Sequence, residues 1–433
     1  MTKPNANDGA VRRGYRLGRL GLSVVGSYIG YQAQNLWLGE QGRAAREARM
    51  RQRASRRVRE ELGELKGAAM KLGQLLSLQG QTLPEEVVRE LAQLQMRAPA
   101  MHPSLARAQF KGSMGAFPEE VYREFEAEPF AAASLGQVHR AVTKDGAKVA
   151  VKIQYPAIRA AIENDFKLLR SAVLPGRITG YIPTALIEEL RRGILEETDY
   201  RQEAANLELF RRGLSRLEYL TIPALYPELS SDRVITMSHV EGGSFDEFLR
   251  RKPPQALRDL VGSRIIEMYH AQLQWLKAVH TDHHPGNYLF HPDGRIGLVD
   301  FGCVKRIDLT PIVEAYRQRS WRESAESERR FLALIFVARV AGARARKLIP
   351  IIDTQADILF PRGASPITDY RNPKIWETLR GTSEFALRNK LIAPDFAFLT
   401  RADLGLYHLL HRLGARVNIN EIWQAASRSQ PKA

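Results

Sequence analysis

The sequence predicts an α+β fold, with a few strands in the middle of the chain and helices before and after them. Residues 137–142 and 148–154 have the composition of strands and are joined by an Asp-Gly pair, a two-residue hairpin signal. A second hairpin pattern surrounds a Pro-Asp-Gly turn at residues 292–294. Apolar residues at helical spacing dominate several other stretches, above all residues 61–80. Local strand pairs combined with many helices define this fold class.

The composition is that of a globular protein with an anionic partner. The chain is 44% hydrophobic, and its net charge of +16 points to nucleic acid, an acidic membrane surface or phosphorylated ligands. The single cysteine, Cys303, excludes an intramolecular disulfide framework and suits a reducing compartment, so we expect a cytoplasmic protein. His283 and His284 have no partner at zinc-ligand spacing.

The N-terminal segment, residues 1–40, contains an apolar, glycine-rich run at residues 17–31 flanked by arginines. A spanning helix needs about 20 apolar residues, so this run is too short, and it lacks a convincing signal-peptide cleavage site. Two interpretations remain, an interfacial helix in anionic lipid or a helix buried against the rest of the protein. Residues 43–59 add eight arginines, which either strengthen attraction to a membrane or form a solvated helix face. No groove-reading motif accompanies this charge, so we expect no nucleic-acid partner.

A helical extension is predicted at residues 41–128. Its helix at residues 61–80 contains a K-x-G-Q motif at residues 71–74. Glycine inside a helix costs about 1 kcal/mol relative to alanine, so this glycine indicates close approach of another segment or a ligand. Residues 104–112 and 118–125 are predicted to form two shorter helices.

Residues 129–243 have the features of a nucleotide-binding half. The second strand reads Val-Ala-Val-Lys, a form in which the lysine reaches the ATP phosphates and the alanine lies over the adenine. A kinase should have a glycine-rich loop upstream of this strand, but the corresponding residues, 130–137, are rich in alanine. An alanine loop still lets backbone N–H groups approach phosphate, with less freedom than glycines give.

A long helical stretch is predicted from residue 185 to about residue 213, with an acidic run at residues 196–203. Asp199 and Glu203 are four residues apart on one helix face, so one of them is expected to pair with Lys152. The alternative is a solvated acidic face. Residues 233–240 are predicted to form a further strand, and the Glu-Gly-Gly sequence after it resembles a hinge between two lobes.

The loop and hairpin at residues 280–302 carry the candidate chemistry. Asp282 and Asn287 are five residues apart in the loop, and the hairpin delivers Asp300 directly before Phe-Gly. Phosphoryl transfer from ATP needs one aspartate that orients the attacking hydroxyl, and an asparagine and a second aspartate that hold Mg²⁺. The alternative is a polar loop followed by a chance Asp-Phe-Gly.

In their order along the chain, these motifs resemble those of the UbiB/AarF/ADCK family of atypical, protein-kinase-like kinases and ATPases. The similarity runs from about residue 60 to 305 and continues more weakly through residues 401–406 and 410–414. It implies a two-lobed, protein-kinase-like fold with an added N-terminal helical extension and a helical C-terminal region. It also implies ATP and Mg²⁺ binding, and an association with membrane lipid and ubiquinone biosynthesis. The expected boundaries are 1–40, 41–128, 129–243 for the N-lobe and 244–433 for the C-lobe.

The resemblance also assigns roles to residues. The catalytic set consists of Lys152, which binds phosphate, its helix partner Glu203, and Asp282 of the catalytic loop. The metal ligands are Asn287 and Asp300. The ATP contacts, besides Lys152, are Ala131, Ala132, Ala133, Ser134, Ala150 and Val240. The residues that cover the pocket are Lys71 and Gln74 of the N-terminal helix and Glu197 and Asp199, against which that helix lies. His283 stands where the family's loop has proline.

The C-terminal part of the chain indicates which kind of molecule accepts the phosphoryl group. A helical pattern begins near residue 312, there is no A-P-E signal, and little room remains for a long activation segment. Peptide substrates dock on that segment, so we expect no protein substrate. The apolar run in residues 330–341 is too short to span a bilayer and is predicted to be a core helix. Prolines at 350, 361 and 366 predict a loop region before the helices resume.

The leading hypothesis is an ATPase, or a small-molecule or lipid kinase, that acts peripherally at the inner membrane surface. Its partners would be ATP, Mg²⁺ and an anionic or isoprenoid-type lipid, and a homodimer is left open. One alternative is a phosphotransferase of the aminoglycoside and choline kinase type, which lacks both the K-x-G-Q motif and the alanine loop. Another is a nucleotide-gated binding protein with negligible turnover. The alanine loop, with a helix over the site, predicts slow ATP hydrolysis rather than fast kinase activity.

Overall fold

The computed structural model describes residues 101–133, 135–173, 184–335, 346–363, 366–388 and 396–429. The predictions for the first 100 residues, including Lys71 and Gln74, lie outside this part, as does Ser134. The chain divides into two compact units. Of the described residues, the first contains 101–102, 132–133, 135–137, 154–173 and 184–198, and the second contains the others.

The described residues form twelve strands and thirteen α-helices. The strands are β1 (Glu124–Phe125), β2 (Ala131–Ala133), β3 (Gly136–Val142), β4 (Lys148–Gln154), β5 (Leu220–Thr221), β6 (Val234–Ser238), β7 (Ala278–His280), β8 (Tyr288–Phe290), β9 (Ile296–Leu298), β10 (Val304–Arg306), β11 (Thr368–Asp369) and β12 (Arg416–Val417). The helices are α1 (Pro103–Met114), α2 (Pro118–Val121), α3 (Ile158–Val173), α4 (Thr184–Glu196), α5 (Tyr200–Gly213), α6 (Phe245–Arg250), α7 (Gln255–Ala271), α8 (Thr310–Gln318), α9 (Ala325–Ile335), α10 (Ile349–Leu359), α11 (Pro373–Arg388), α12 (Phe396–Leu413) and α13 (Ile419–Arg428).

The main sheet has the strand order β1-β3-β4-β6, with β2 beside β3. In the second unit, β4 pairs antiparallel with β6 from Val149 opposite Ser238 to Ile153 opposite Val234. Val149, Val151 and Ile153 alternate along β4 and are almost fully buried. Because neighbouring side chains of a strand point to opposite faces, Lys152 is directed away from this apolar layer.

The first unit contains α3 and α4, and here one prediction is wrong. The single helical stretch expected from residue 185 to 213 is interrupted after Glu196, and a new helix begins at Tyr200. The hydroxyl of Thr198 donates to the carbonyl of Leu195 at 2.6 Å, and the Asp199 carboxylate accepts from the backbone N–H of Arg201 at 3.0 Å. Such local side-chain bonds compete with continuous helix and favour a cap.

Two further predictions for the second unit need correction. Residues 118–125 are not one helix, because only Pro118–Val121 is helical and Phe125 pairs in β1 with Ala141. The loop expected around Pro350 is instead the start of α10. Proline is tolerated in the first turn of a helix, where its missing N–H has no partner to lose.

The helices that follow β10 pack around an apolar cluster. Trp321 and Phe331 lie with ring centroids 4.4 Å apart, and Leu348 and Ile352 of the next helix bury against them. The apolar run that begins at residue 330 is helical through Ile335; Phe331 and Leu332 are buried in this cluster, whereas Leu334 is exposed, and the rest of the run lies outside the described residues. Within the described ranges, no helix has the length and apolar character that crossing a bilayer requires.

Candidate active site

A buried lysine and a buried glutamate form the centre of the candidate site. The Nζ of Lys152 donates to Oε1 of Glu203 at 2.6 Å, and their side chains are 5% and 3% exposed. Lys152 lies on the face of β4 opposite the apolar layer, and Glu203 lies in the first turn of α5. Of the two acids expected to compete for the lysine, Glu203 makes the contact, while Asp199 is exposed and caps α5.

Asp300 joins this pair at the end of the second hairpin. Its Oδ2 lies 3.1 Å from Nζ of Lys152, and its Oδ1 accepts from the N–H of Gly302 at 3.0 Å. The side-chain amide of Asn206 on α5 donates to the carbonyl of Phe301 at 3.1 Å. Helix α5 therefore holds both the lysine and the Asp-Phe-Gly segment, which brings together residues from three distant parts of the sequence.

The electrostatics of this centre follow from two carboxylates that share one ammonium. Burial lowers the pKa of Lys152, but the charges of Asp300 and Glu203 outweigh it and raise that pKa well above its ordinary value. The pKa of Glu203 is raised above its ordinary value, mainly by burial. The charge of Lys152 opposes this rise, and the charge of Asp300 adds to it. The three groups together carry an excess negative charge, so a further cation beside Asp300 would be favourable.

Asn287 ends the loop that contains Asp282 and directly precedes β8 of the hairpin. Its Nδ2 donates to the backbone carbonyl of Asp282 at 2.9 Å, so the side-chain carbonyl oxygen is the atom that would face a metal ion. Its own backbone carbonyl accepts from Val299 N–H at 3.1 Å, so the β8–β9 hairpin fixes it near the residue that precedes Asp300.

This donor set fits Mg²⁺. The side-chain oxygens of Asn287 and Asp300 are hard ligands, and Mg²⁺ is usually held by one or two carboxylates together with substrate phosphates and waters. A cluster of three or more His, Cys, Asp or Glu side chains that could hold a metal ion does not occur among the described residues.

Asp282 is held by a residue that the sequence did not single out. Nη2 of Arg401, on α12, lies 2.5 Å from Oδ2 of Asp282, and the two side chains are 5% and 16% exposed. Nη1 of Arg401 lies 3.6 Å from Sγ of Cys303. Burial lowers the pKa of Arg401, and the charge of Asp282 more than restores it. The only signal in the sequence was the weak family likeness of residues 401–406, which assigned no role.

His283 ties the catalytic loop to β8. Its Nδ1 shares a hydrogen bond of 2.5 Å with the hydroxyl of Tyr288, and burial lowers its pKa to about 3. Neighbouring His280 shares a 2.7 Å hydrogen bond between its Nε2 and the backbone carbonyl of Asp300. The histidine that replaces the family's proline thus makes its own fixed contact.

The expected ATP contacts that the structure describes lie in β2, in β4 and just after β6, and none of them lines the cavity described below. Ala131 and Ala132 are exposed and Ala133 is half-buried, all in strand β2 rather than in a loop. Ala150 is half-buried, and Val240 is buried with its Cγ1 packed on Gly297. A cavity of about 550 Å³ in the second unit is lined by residues that flank Ala150 and Val240 in sequence, including Val149, His239 and Glu241. Glu197 is buried in the first unit.

Comparisons with known proteins cover most of the chain. The family model described as the ABC1 atypical kinase-like domain matches residues 93–320, more than half of the chain. The Arabidopsis thaliana protein ACTIVITY OF BC1 COMPLEX KINASE 7, chloroplastic, is 34% identical over 254 residues, which cover 58% of this chain and 36% of that protein. The Caenorhabditis elegans atypical kinase coq-8, mitochondrial, is 34% identical over 252 residues, which cover 56% of this chain and 33% of that protein.

Two matches extend further. The Saccharomyces cerevisiae atypical kinase COQ8, mitochondrial, is 25% identical over 383 residues, which cover 85% of this chain and 75% of that protein. The solved complex of Rv3197 with erythromycin from Mycobacterium tuberculosis is 26% identical with a TM-score of 0.58, and the match covers 90% of this chain and 100% of that chain. The chain spans about a third of the length of the Arabidopsis and Caenorhabditis relatives. The predicted α+β, kinase-like fold is confirmed for the described residues.

Proposed function

This chain belongs to the ABC1 atypical kinase-like family, and on that premise we propose that it binds Mg·ATP and transfers the terminal phosphoryl group. The resemblance to the UbiB/AarF/ADCK family is confirmed by relatives named COQ8 and AarF domain-containing protein kinase. The observation that carries the proposal is the contact of Lys152 with both Glu203 and Asp300. It places a fixed cation beside a carboxylate that fits Mg²⁺.

Each polar residue of the site has one task in this proposal. Lys152 binds phosphate oxygens with its charge, and Glu203 fixes the lysine from behind. Asn287 and Asp300 would hold Mg²⁺, which supplies positive charge against the phosphate oxygens when bound. Asp282 orients the attacking water or acceptor hydroxyl.

Further residues are proposed to contact ATP or to cover the site. Contacts of Ala131, Ala150 and Val240 with ATP are proposed from the family resemblance, and none of the three lines the cavity described above. The roles of Ala132, Ala133 and Ser134 in binding phosphate stay predictions. So do the roles of Lys71, Gln74, Glu197 and Asp199 in covering the site.

The acceptor is proposed to be water or a small molecule or lipid rather than a protein. Helix α8 begins at Thr310, soon after the Asp-Phe-Gly segment, so there is little chain on which a peptide substrate could dock. The ion pair between Asp282 and Arg401 engages one oxygen, Oδ2, of the carboxylate that is proposed to orient the acceptor.

A membrane surface and ubiquinone-related lipid metabolism are proposed as the setting. The yeast and Caenorhabditis relatives are named as mitochondrial COQ8 kinases, and the net charge of +16 suits an anionic surface. We propose that the protein acts peripherally at that surface, with an anionic or isoprenoid-type lipid as partner. Phosphate release that rises on addition of anionic vesicles is the outcome expected of this proposal.

Removal of the Lys152 charge tests nucleotide binding directly. Lys152→Met should weaken binding of a fluorescent ATP analogue in the presence of Mg²⁺ by about 10- to 100-fold, because a charge-assisted contact of roughly 1.5–3 kcal/mol is lost. Lys144→Met, at an exposed position in the β3–β4 connection, removes the same charge away from the site and should leave the affinity unchanged. Equal affinities for wild type and a folded Lys152→Met variant would contradict the proposed function.

A further inference from the structure

The contact of Arg401 with Asp282 places a buried cation on the carboxylate of the catalytic loop. The guanidinium bridges two segments, since Nη2 reaches Asp282 and Nη1 reaches Cys303, the residue directly after Asp-Phe-Gly. Both side chains of the ion pair are largely withdrawn from solvent. Burying a charge is costly unless it is paired, and a buried ion pair is weak evidence for stability alone. The position of this pair therefore calls for a reason other than folding.

A second buried arginine shows what a structural role looks like in the same unit. Arg319 is 3% exposed and donates to the carbonyls of Ala356 and Phe360 and to the carboxylate of Asp357. These partners lie at the end of α10, so Arg319 terminates a helix. Arg401 instead contacts the loops that carry Asp282 and Asp300, and neither partner is a helix end.

Helix α12 is built to hold Arg401 against the catalytic loop. Gly405, one turn after Arg401, faces His283, and a Cβ at Gly405 would lie 3.3 Å from the Cβ of His283. Residues four apart share a helix face, so the arginine and the glycine present one surface to consecutive loop residues. The absence of a side chain at residue 405 lets the helix backbone approach the loop closely. The position of the guanidinium is thus fixed by the close packing of α12 against the loop.

We propose that Arg401 is a positioning residue for phosphoryl transfer: it fixes the orientation of the Asp282 carboxylate and ties the catalytic loop to the segment after Gly302. This inference rests on the proposed function. Because Asp282 acts on the acceptor and not on the nucleotide, loss of Arg401 lowers kcat and leaves the KM for ATP nearly unchanged. A purely structural role would disturb both quantities.

Three variants of the full chain test this role by phosphate release from Mg·ATP. Arg401→Met should lower kcat by about 100-fold, the cost of a misplaced reacting group, with a KM for ATP within about threefold of wild type. Arg401→Lys keeps the charge but not the two-pronged contact, so its kcat should lie between those of wild type and Arg401→Met. Arg412→Met is the control, because Arg412 lies on the same helix and pairs with exposed Asp246 instead. Its kcat and KM should equal those of wild type.

The results of this experiment distinguish failure of the proposed function from failure of the positioning role of Arg401. Wild-type release at background would contradict the proposed function and this inference with it. Wild-type release above background, with an unchanged kcat in Arg401→Met or with kcat and KM impaired together, would overturn the inference alone. Melting curves report whether each variant folds. If Arg401→Met does not fold, Arg401→Lys decides, since an intermediate kcat with native KM supports the role and a wild-type kcat overturns it.

Discussion

His270 is a buried imidazole that the candidate site does not use. It is 4% exposed, its ring lies edge-on to Trp423 with centroids 5.0 Å apart, and its Nδ1 has no hydrogen-bond partner among the described residues. Burial lowers its pKa to about 3. The folded protein therefore holds this histidine neutral, whereas the unfolded chain protonates it below pH 6.5.

His270→Phe should make the protein less sensitive to acid. The stability that neutral His270 contributes is complete above pH 6.5 and is lost as the pH falls from 6.5 towards 3, because only the unfolded state gains the proton. At pH 5 this loss amounts to about 2 kcal/mol. Urea unfolding at pH 7.5 and at pH 5 measures how much stability each protein loses on acidification. That loss should be smaller in His270→Phe than in wild type by about the same amount. The same loss in both proteins would show that His270 is not the group responsible.

Single residues show where prediction from sequence reached its limit. Lys152 could be named from its strand motif, and helix spacing narrowed its partner to Asp199 or Glu203, of which the family resemblance selects Glu203. The structure brings Lys152 and Glu203 to 2.6 Å. Arg401 could not be named, because no local pattern connects a helix near the C-terminus with a loop more than a hundred residues earlier. Its contact depends on how α12 packs, which the spacing of nearby residues does not encode.

At the scale of elements, strong local patterns predicted the structure well. Strand β4 has the expected bounds, and the hairpin of β8 and β9 turns as expected at Gly294, whose φ of 83° suits glycine. Errors arose where a contact or a cap overrode helix propensity. Strand β1 exists because β3 offers it a partner, and the break before α5 depends on the side chains of Thr198 and Asp199.

A matched pair of glycines tests the packing of α7. A Cβ at Gly262 would lie 2.4 Å from the Cβ of Ala415, whereas no described atom lies within 4 Å of a Cβ at Gly381 on α11. Gly262→Ala should destabilise the protein by about 1–3 kcal/mol through overpacking. Gly381→Ala should stabilise it by about 0.5–1 kcal/mol, the propensity gain of alanine inside a helix. Urea unfolding measures both, and a Gly262→Ala variant as stable as wild type would refute this close approach.

At the scale of the whole molecule, family membership and fold were predictable because six motifs occur in one order. The same motifs do not name the acceptor, because a fold and its motifs can serve enzymes with different substrates. The proposed membrane association rests on the charge of the chain and on the names of its relatives. The N-terminal apolar run that would contribute to it lies outside the described residues.

The most direct test of the account is phosphate release from Mg·ATP by the full chain, compared between wild type and Asp300→Asn with and without anionic vesicles. Asp308→Asn makes the same change at an exposed carboxylate that pairs with Lys277 and serves as the control. We predict slow release by wild type and Asp308→Asn that rises with vesicles. In Asp300→Asn it should fall by at least about 100-fold, as expected when electrostatic support of the transition state is lost. Equal release by wild type and Asp300→Asn would contradict the assignment of this site to ATP chemistry.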